Sequence, residues 1–369
     1  MFLKKKETSQ VIEEENIKIP IFGEKISKEL KVFYNPVMKL NRDLSLLVIK
    51  NFFDNPIHFC DPMGASGVRE LRFQKTIPEM FESLTIGDIS KTAIKIMKKN
   101  FKYNKLKTKN IIFLNQEANN TILKRFYHYI EVDPFGSPVP FLDSALQRIK
   151  HESILSVTAT DTAALCGTYP KTTLRKYNIL VQKTLWYEEL GLRNLIAYCQ
   201  IQAAKYNIYL EPLISYSSDH YYKIFFKTND SKNESLKAIK DLKYIKIDSK
   251  TQQVSIEEYQ NKDSLGKTYV KDLNNKEFIQ KILNNIELVK DNKKVKKLLE
   301  NLKEELEIVG SYNIHKLQKE FEIKQEKKFK FILEELKKNN YNVCRPHNNR
   351  FSIKTNAKPE EIVKILKKE

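Results

Sequence analysis

The sequence predicts an α/β protein, a largely parallel sheet with intervening helices, followed by a smaller basic α+β domain at the C-terminus. Three observations predict it. Between about residues 56 and 228, short apolar runs alternate with stretches of helical period, the pattern of βα units. Glycines and carboxylates stand at the ends of successive apolar runs, where such sheets bind ligands. From about residue 275 the chain turns Lys-rich and helical in period.

At 369 residues the chain exceeds one typical domain, so two are expected: residues 1–270, with a core at about 30–228 and a weakly β-like segment after it, and residues 271–369. Hydrophobic residues make up 41% and charged residues 30%, which excludes a disordered chain and a small disulfide-stapled module.

In chain order, basic residues at 1–6 and an acidic patch at 13–15 lack the apolar region of a secretory signal. Strands are predicted at 57–61, 84–88, 111–115, 129–133 and 154–159. Among the intervening helices, 90–104 places Ala93, Ile94, Met97 and Phe101 at helical spacing. A long helix is expected over 178–206, then two antiparallel strands, 208–215 and 221–227, joined through Ser217, Ser218 and Asp219. Over 295–309, Leu298, Leu299, Leu302 and Leu306 form one apolar stripe. Helices near 316–321 and 329–338 and a hairpin of 342–345 with 350–354 then follow in winged-helix-like order.

Lys plus Arg number 65 against 46 Asp plus Glu, a net charge of +19 that favours a polyanionic partner. RNA, DNA and an anionic membrane surface all remain open on charge alone. No apolar run approaches the roughly 20 residues that span a bilayer. Cys60, Cys166, Cys199 and Cys344 show no C-x-x-C spacing, against a zinc knuckle or redox pair, and suit a reducing, cytoplasmic interior. The histidines form no metal-like cluster, so no metal is expected.

The first predicted strand ends in Asp61-Pro62-Met63-Gly64-Ala65-Ser66-Gly67-Val68-Arg69. Gly64 and Gly67 let backbone approach a ligand closely, although a strand-to-helix turn also wants glycine for its own geometry. The spacing is not G-x-G-x-x-G, which counts against a nicotinamide cofactor. Asp88, about 20 residues on, stands where an acid meets a ribose diol, and Glu117-Ala118 where an acid and a small neighbour border an adenine. Each acid could instead cap a helix. The fourth strand ends in Asp133-Pro134-Phe135-Gly136: a carboxylate and a proline carbonyl accept from an exocyclic amine, and a ring stacks on its base. Amine methylation is the chemistry that fits.

Together these residues resemble the tRNA guanine-26 N2-dimethyltransferase family, in its compact archaeal form. The resemblance spans nearly the whole chain: 32–38, with Phe33, then Asn41-Arg42-Asp43, the Gly64 turn, Gly87-Asp88-Ile89-Ser90, Asp133-Pro134-Phe135-Gly136, 158–161 through 165–167, Asp219-His220-Tyr221 and Lys354-Thr355-Asn356-Ala357. It implies a class I S-adenosylmethionine-dependent methyltransferase fold, Rossmann-like with seven mostly parallel strands, acting on tRNA in the cytoplasm. It implies Asp61, Gly64, Gly67, Arg42, Arg69, Asp88, Glu117 and Ala118 around S-adenosylmethionine. Asp133 would be catalytic, with Phe33, Pro134 and Phe135 on the base. Many relatives carry a four-cysteine zinc cluster after the core, whereas 240–275 has no cysteine here, so no zinc is expected. The alternatives are an amino-methyltransferase on another RNA or DNA base, and an inactive nucleic-acid-binding protein on the same fold.

Overall fold

The computed structural model describes residues 9–22 and 34–368. The chain opens with a hairpin, β1 (Ser9–Glu14) and β2 (Ile17–Phe22), followed by α1 (Lys39–Phe52), β3 (Ile57–Asp61), α2 (Val68–Thr76), β4 (Phe81–Asp88), α3 (Lys91–Tyr103) and β5 (Ile111–Asn115). Then come α4 (Ala118–Ile122), β6 (Tyr127–Val132), α5 (Val139–Arg148), β7 (Ile149–Ala159), α6 (Thr162–Leu165), α7 (Pro170–Tyr177), α8 (Tyr187–Ala204), β8 (Ile208–Ser218) and β9 (Tyr221–Asp230). The sheet has seven strands in the order β5-β4-β3-β6-β7-β9-β8. β3, β4, β5, β6 and β7 pair in parallel and β8 with β9 antiparallel, so every parallel strand presents its carboxyl end on the same edge.

The rest runs through α9 (Lys232–Lys240), β10 (Lys243–Ile247), β11 (Val254–Glu257), β12 (Leu265–Thr268), α10 (Lys276–Leu283) and α11 (Lys293–Glu304). It ends with β13 (Tyr312–Asn313), α12 (Ile314–Glu320), α13 (Phe329–Lys338), β14 (Val343–Cys344), β15 (Ser352–Thr355) and α14 (Pro359–Lys367). By contact the chain divides into two compact units. One comprises 1–134, 140–157 and 281–297, the other 135–139, 158–280 and 298–369.

In the first unit, the apolar face of α3 explains itself from sequence. Ser90 caps its start, accepting from Ala93 N at 3.3 Å, and Ala93, Ile94, Met97 and Phe101 all fall on the buried stripe. They pack with Val68, Leu71 and Ile86, each fully buried large side chain contributing about 1.5–3 kcal/mol. The N-terminal hairpin completes this core with Ile17 and Ile19.

In the second unit, the cysteine-free segment 240–275 carries a three-stranded sheet, β11-β10-β12, packed through Ile245 and Leu265 onto Val181, Trp186 and Leu190. Gln252 ties it to Asn313 by two hydrogen bonds. The helix expected over 178–206 is confined to α8, because Leu180 instead exchanges backbone hydrogen bonds with Gly266 (3.2 and 2.8 Å), which holds the segment extended and lets Ile179 and Val181 bury. The expected C-terminal hairpin is β14 with β15, joined by β13 in one sheet and by α12, α13 and α14 around a common core.

Each unit buries a carboxylate held ionised by basic partners. Burial pushes Glu14 up, but Arg42, at 2.8 and 2.5 Å, and Arg72, at 3.0 Å, outweigh it and bring its pKa from 4.5 to about 2. Glu305 is likewise raised by burial but brought to about 2 by His347 and Lys354. Since both values fall on folding, the stability each contributes is complete above the unfolded value of 4.5 and is lost as pH falls toward 2. For Glu14 the shift corresponds to roughly 3 kcal/mol. Urea unfolding from pH 6 down to pH 3 is therefore expected to show a falling midpoint, and Glu14→Gln to flatten that fall. An equally steep fall in the variant would refute the assignment.

Candidate active site

The site is built on the carboxyl edge of the parallel strands. After β3, Asp61 accepts from Met63 N at 2.9 Å, and Gly64 N donates to Gly87 O at 2.9 Å across to β4. The approach is so close that a Cβ on Gly64 would lie 2.5 Å from Ile86 Cγ2. Gly67 starts α2 with φ +74°, in the left-handed region that favours glycine. Asp88, closing β4, accepts from Ala65 N (3.1 Å) and Ser90 N (2.7 Å), so Asp88 and the glycine turn are brought together as one element. Each Asp88 oxygen takes one N–H, leaving about half of a carboxylate's four acceptor sites for a further donor.

Glu117 follows β5 and caps α4, accepting from Asn119 N at 2.8 Å and Asn120 N at 3.3 Å, with Ala118 buried behind it. Asp133 follows β6 and stays partly open, while Pro134 is buried. In the second unit, the loop beginning at Phe135 is fixed by Gly136 N donating to Thr160 Oγ1 at 2.5 Å and by Ser137 Oγ meeting Tyr177 OH at 2.7 Å. Phe135 itself is 70% exposed. Phe33 lies outside the described residues.

Arg69 is the hub of the first unit's edge. Its guanidinium reaches Asp133 Oδ2 at 2.6 Å, Glu131 Oε2 at 3.1 Å and Asp61 Oδ2 at 3.5 Å, and also donates to Ser45 Oγ (2.7 Å) and Asn41 Oδ1 (3.2 Å). Asn41 Nδ2 donates in turn to Asp133 Oδ2 at 3.4 Å. Burial pushes the Asp61 carboxyl up, Arg69 draws it down and Glu131 pushes it up again, leaving it at about 6. Glu70, wholly buried, is held well above the usual carboxylate range by burial and then by the Asp61 charge.

Arg42 is not brought to this cluster. Nε and Nη2 bond Glu14, both Nη atoms reach the Asn35 carbonyl, and the guanidinium lies 5.4 Å over the Tyr34 ring. Asn41, Ser45 and Glu131 were given no role by the sequence reading. Their spacing is the signal: Glu131 on β6 and Asp133 just beyond it are two apart, the interval of one strand face, and Asn41 and Ser45, four apart on α1, share a helix face.

A parallel sheet of this order, with a glycine turn and an acid at successive carboxyl ends, defines a class I S-adenosylmethionine-dependent methyltransferase. The chain belongs to the N2,N2-dimethylguanosine tRNA methyltransferase family, whose sequence profile matches residues 8–367. It is 37% identical over 352 residues to the tRNA (guanine(26)-N(2))-dimethyltransferase of Methanococcus maripaludis, covering 92% of this chain and 93% of that protein. To the Pyrococcus furiosus protein of the same name it is 35% identical, covering 91% and 93%. The solved structure of Pyrococcus horikoshii Trm1 in complex with S-adenosyl-L-methionine superposes with a TM-score of 0.88 at 30% identity, over 96% of this chain and 99% of that one.

Proposed function

We propose that this protein transfers methyl groups from S-adenosylmethionine to the exocyclic N2 amine of guanine 26 in tRNA, giving N2-methyl- and then N2,N2-dimethylguanosine. The observation that carries the reading is Asp133, held by Arg69 and Asn41 at the end of β6 and followed directly by Pro134 and the exposed ring of Phe135.

The residues present fit the cofactor. Asp88, with acceptor sites to spare, suits a ribose diol, and Ala118 beside the capping Glu117 leaves room for an adenine. Asp61, Gly64 and Gly67 supply a close-running backbone. Arg69 braces the carboxylates of this edge, whereas Arg42 is bound to Glu14. Three carboxylates around one guanidinium keep the edge negative, which favours a cationic ligand. The cofactor, when bound, supplies an activated methyl group whose departure leaves a neutral thioether.

Asp133 and the Pro134 carbonyl accept from the guanine amine and orient its lone pair, while Phe135 stacks on the base. As nitrogen forms its bond to the methyl carbon, the amine proton passes to the Asp133 carboxylate and on to water. The base must leave its stack to enter, at a cost of a few kcal/mol that contacts to the tRNA backbone offset. The Lys-rich residues 271–369 supply such contacts, and no helix among the described residues is long and apolar enough to cross a membrane. This reading places the protein in the cytoplasm with its substrate.

The test is methylation of unmodified tRNA transcripts carrying guanine or adenine at position 26, with nucleoside mass spectrometry. Dimethylguanosine from the first transcript alone is the expected result. No methylated guanosine from either, despite cofactor binding, would redirect the activity to another nucleic-acid amine.

A further inference from the structure

In the second unit, five side chains far along the chain from the carboxylate edge gather where α12, α13 and the β14–β15 hairpin converge. The His315 ring lies 5.4 Å from the Phe351 ring and 6.3 Å from that of Phe329, centre to centre, tilted 62° and 68°. Arg345 sits 4.4 Å over Phe329, and Arg350 sits 4.7 Å over Phe351. His315, Arg345, Arg350 and Phe351 are exposed, and Phe329 is half-buried.

The frame beneath is rigid. Ile314 N donates to Phe351 O at 3.1 Å, Tyr312 pairs with Ile353, Val343 pairs with Thr355, and Ile314, Leu317, Ile332 and Ile353 are wholly or almost wholly buried below. The buried residues of that core are aliphatic and Phe329 packs only at its margin, so packing alone gives no reason for Phe351 to stand 42% exposed between a histidine and an arginine. The surroundings are basic as well: residues 315–351 hold ten Lys and Arg against five Glu.

Rings interleaved with guanidinium groups are the chemistry that holds single-stranded nucleic acid. Aromatic faces stack bases regardless of sequence, and cations take the neighbouring phosphates. An acidic protein would need the arginines but not the exposed rings, and duplex backbone offers no free base face. We propose that this cluster is an RNA-docking surface that takes an unpaired nucleotide of the tRNA. Its base stacks on Phe351 beside His315, and its flanking phosphates are held by Arg345 and Arg350. The proposal rests on the tRNA reading above and adds a second point of attachment, separate from the target guanine.

The test measures tRNA binding by anisotropy together with steady-state kinetics on the full chain. Phe351→Leu keeps an apolar side chain of similar size but has no π face. It is expected to weaken tRNA binding about tenfold, within the range of one base–aromatic stack, and Phe351→Trp to restore it. KM for tRNA rises, while kcat at saturating tRNA and cofactor affinity stay at wild-type values. The double variant Arg345→Gln/Arg350→Gln is expected to lower the slope of log affinity against log salt by roughly 1.4, two phosphates' worth on a single strand. Wild-type tRNA affinity in Phe351→Leu overturns the proposal, as does equal loss in the Leu and Trp variants, which marks a packing role. Polyglutamate binding weakened in Phe351→Leu while tRNA binding is unchanged overturns it in favour of an acidic protein partner. A wild-type protein that produces no dimethylguanosine sinks the tRNA reading itself, an outcome distinct from these.

Discussion

Asp133→Ala is expected to lower single-turnover methyl transfer by about 10²–10⁴-fold while leaving tRNA and cofactor affinities within about twofold. The size follows from what the carboxylate does: it accepts from the amine, orients the lone pair and takes the proton, and no other open carboxylate stands at the end of β6, since Glu131 is fully buried against Ser45, Tyr129 and Ser156. The fold tolerates the change, because Asp133 is partly open and Arg69 keeps Glu131, Asp61, Asn41 and Ser45 as partners. Asp133→Asn keeps an acceptor but not a base, so its rate should fall between the two. Quench-flow with labelled cofactor decides it, and a wild-type rate in the alanine variant would remove Asp133 from the chemistry.

The parallel core was legible because its signals are local. A strand of a parallel sheet is a short apolar run, and residues 57–61 and 111–115 coincide to the residue with β3, largely buried, and with the edge strand β5, half-exposed. Likewise Ser90 and Asn104 bracket α3 as its caps, a boundary that side-chain chemistry writes into the sequence. The hairpin β1–β2 was not legible: Val11, Ile12 and the acidic residues that follow read as a charged patch, because what stabilises Glu14 is Arg42 and Arg72, some 28 and 58 residues away. The same distance effect delays the start of α8 to Tyr187, since Leu180 is held extended by Gly266.

For the site, the strand-end position of each acid could be read, but not its partners. Asp88 accepts from Ala65 N of the glycine turn, a partner its strand-end position does not spell out, and Glu117 caps α4, the other reading open to any acid before a short helix. Arg42 and Arg69 look alike in sequence. Only the fold separates them: α1 turns Arg42 toward Glu14, and α2 aims Arg69 at the carboxylates of β3 and β6.

That placement makes Arg69 the residue whose loss should cost most stability. Arg69→Met leaves Asp61, Glu131 and Asp133 without their shared cation. Removing one partner of a buried ion pair typically costs about 3–5 kcal/mol, because the remaining charge is desolvated and uncompensated. For a chain of this size the thermal midpoint should fall by roughly 5 °C near pH 7.5. The sign of the pH dependence is fixed. With Arg69 gone, the Asp61 carboxyl, which burial raises and Arg69 lowers, goes higher still in the folded state, so its contribution is favourable when protonated and is lost as pH increases. The deficit relative to wild type should therefore shrink at pH 5.5, while the Glu14 and Glu305 effects, common to both proteins, cancel. Arg69→Lys restores one point charge but cannot reach three carboxylates with a planar fork, so it should recover only part of the loss. Thermal unfolding of the three proteins at the two pH values measures this directly. A midpoint in Arg69→Met equal to wild type at pH 7.5, or a deficit that grows on acidification, would show that the carboxylate edge is stabilised by something other than Arg69.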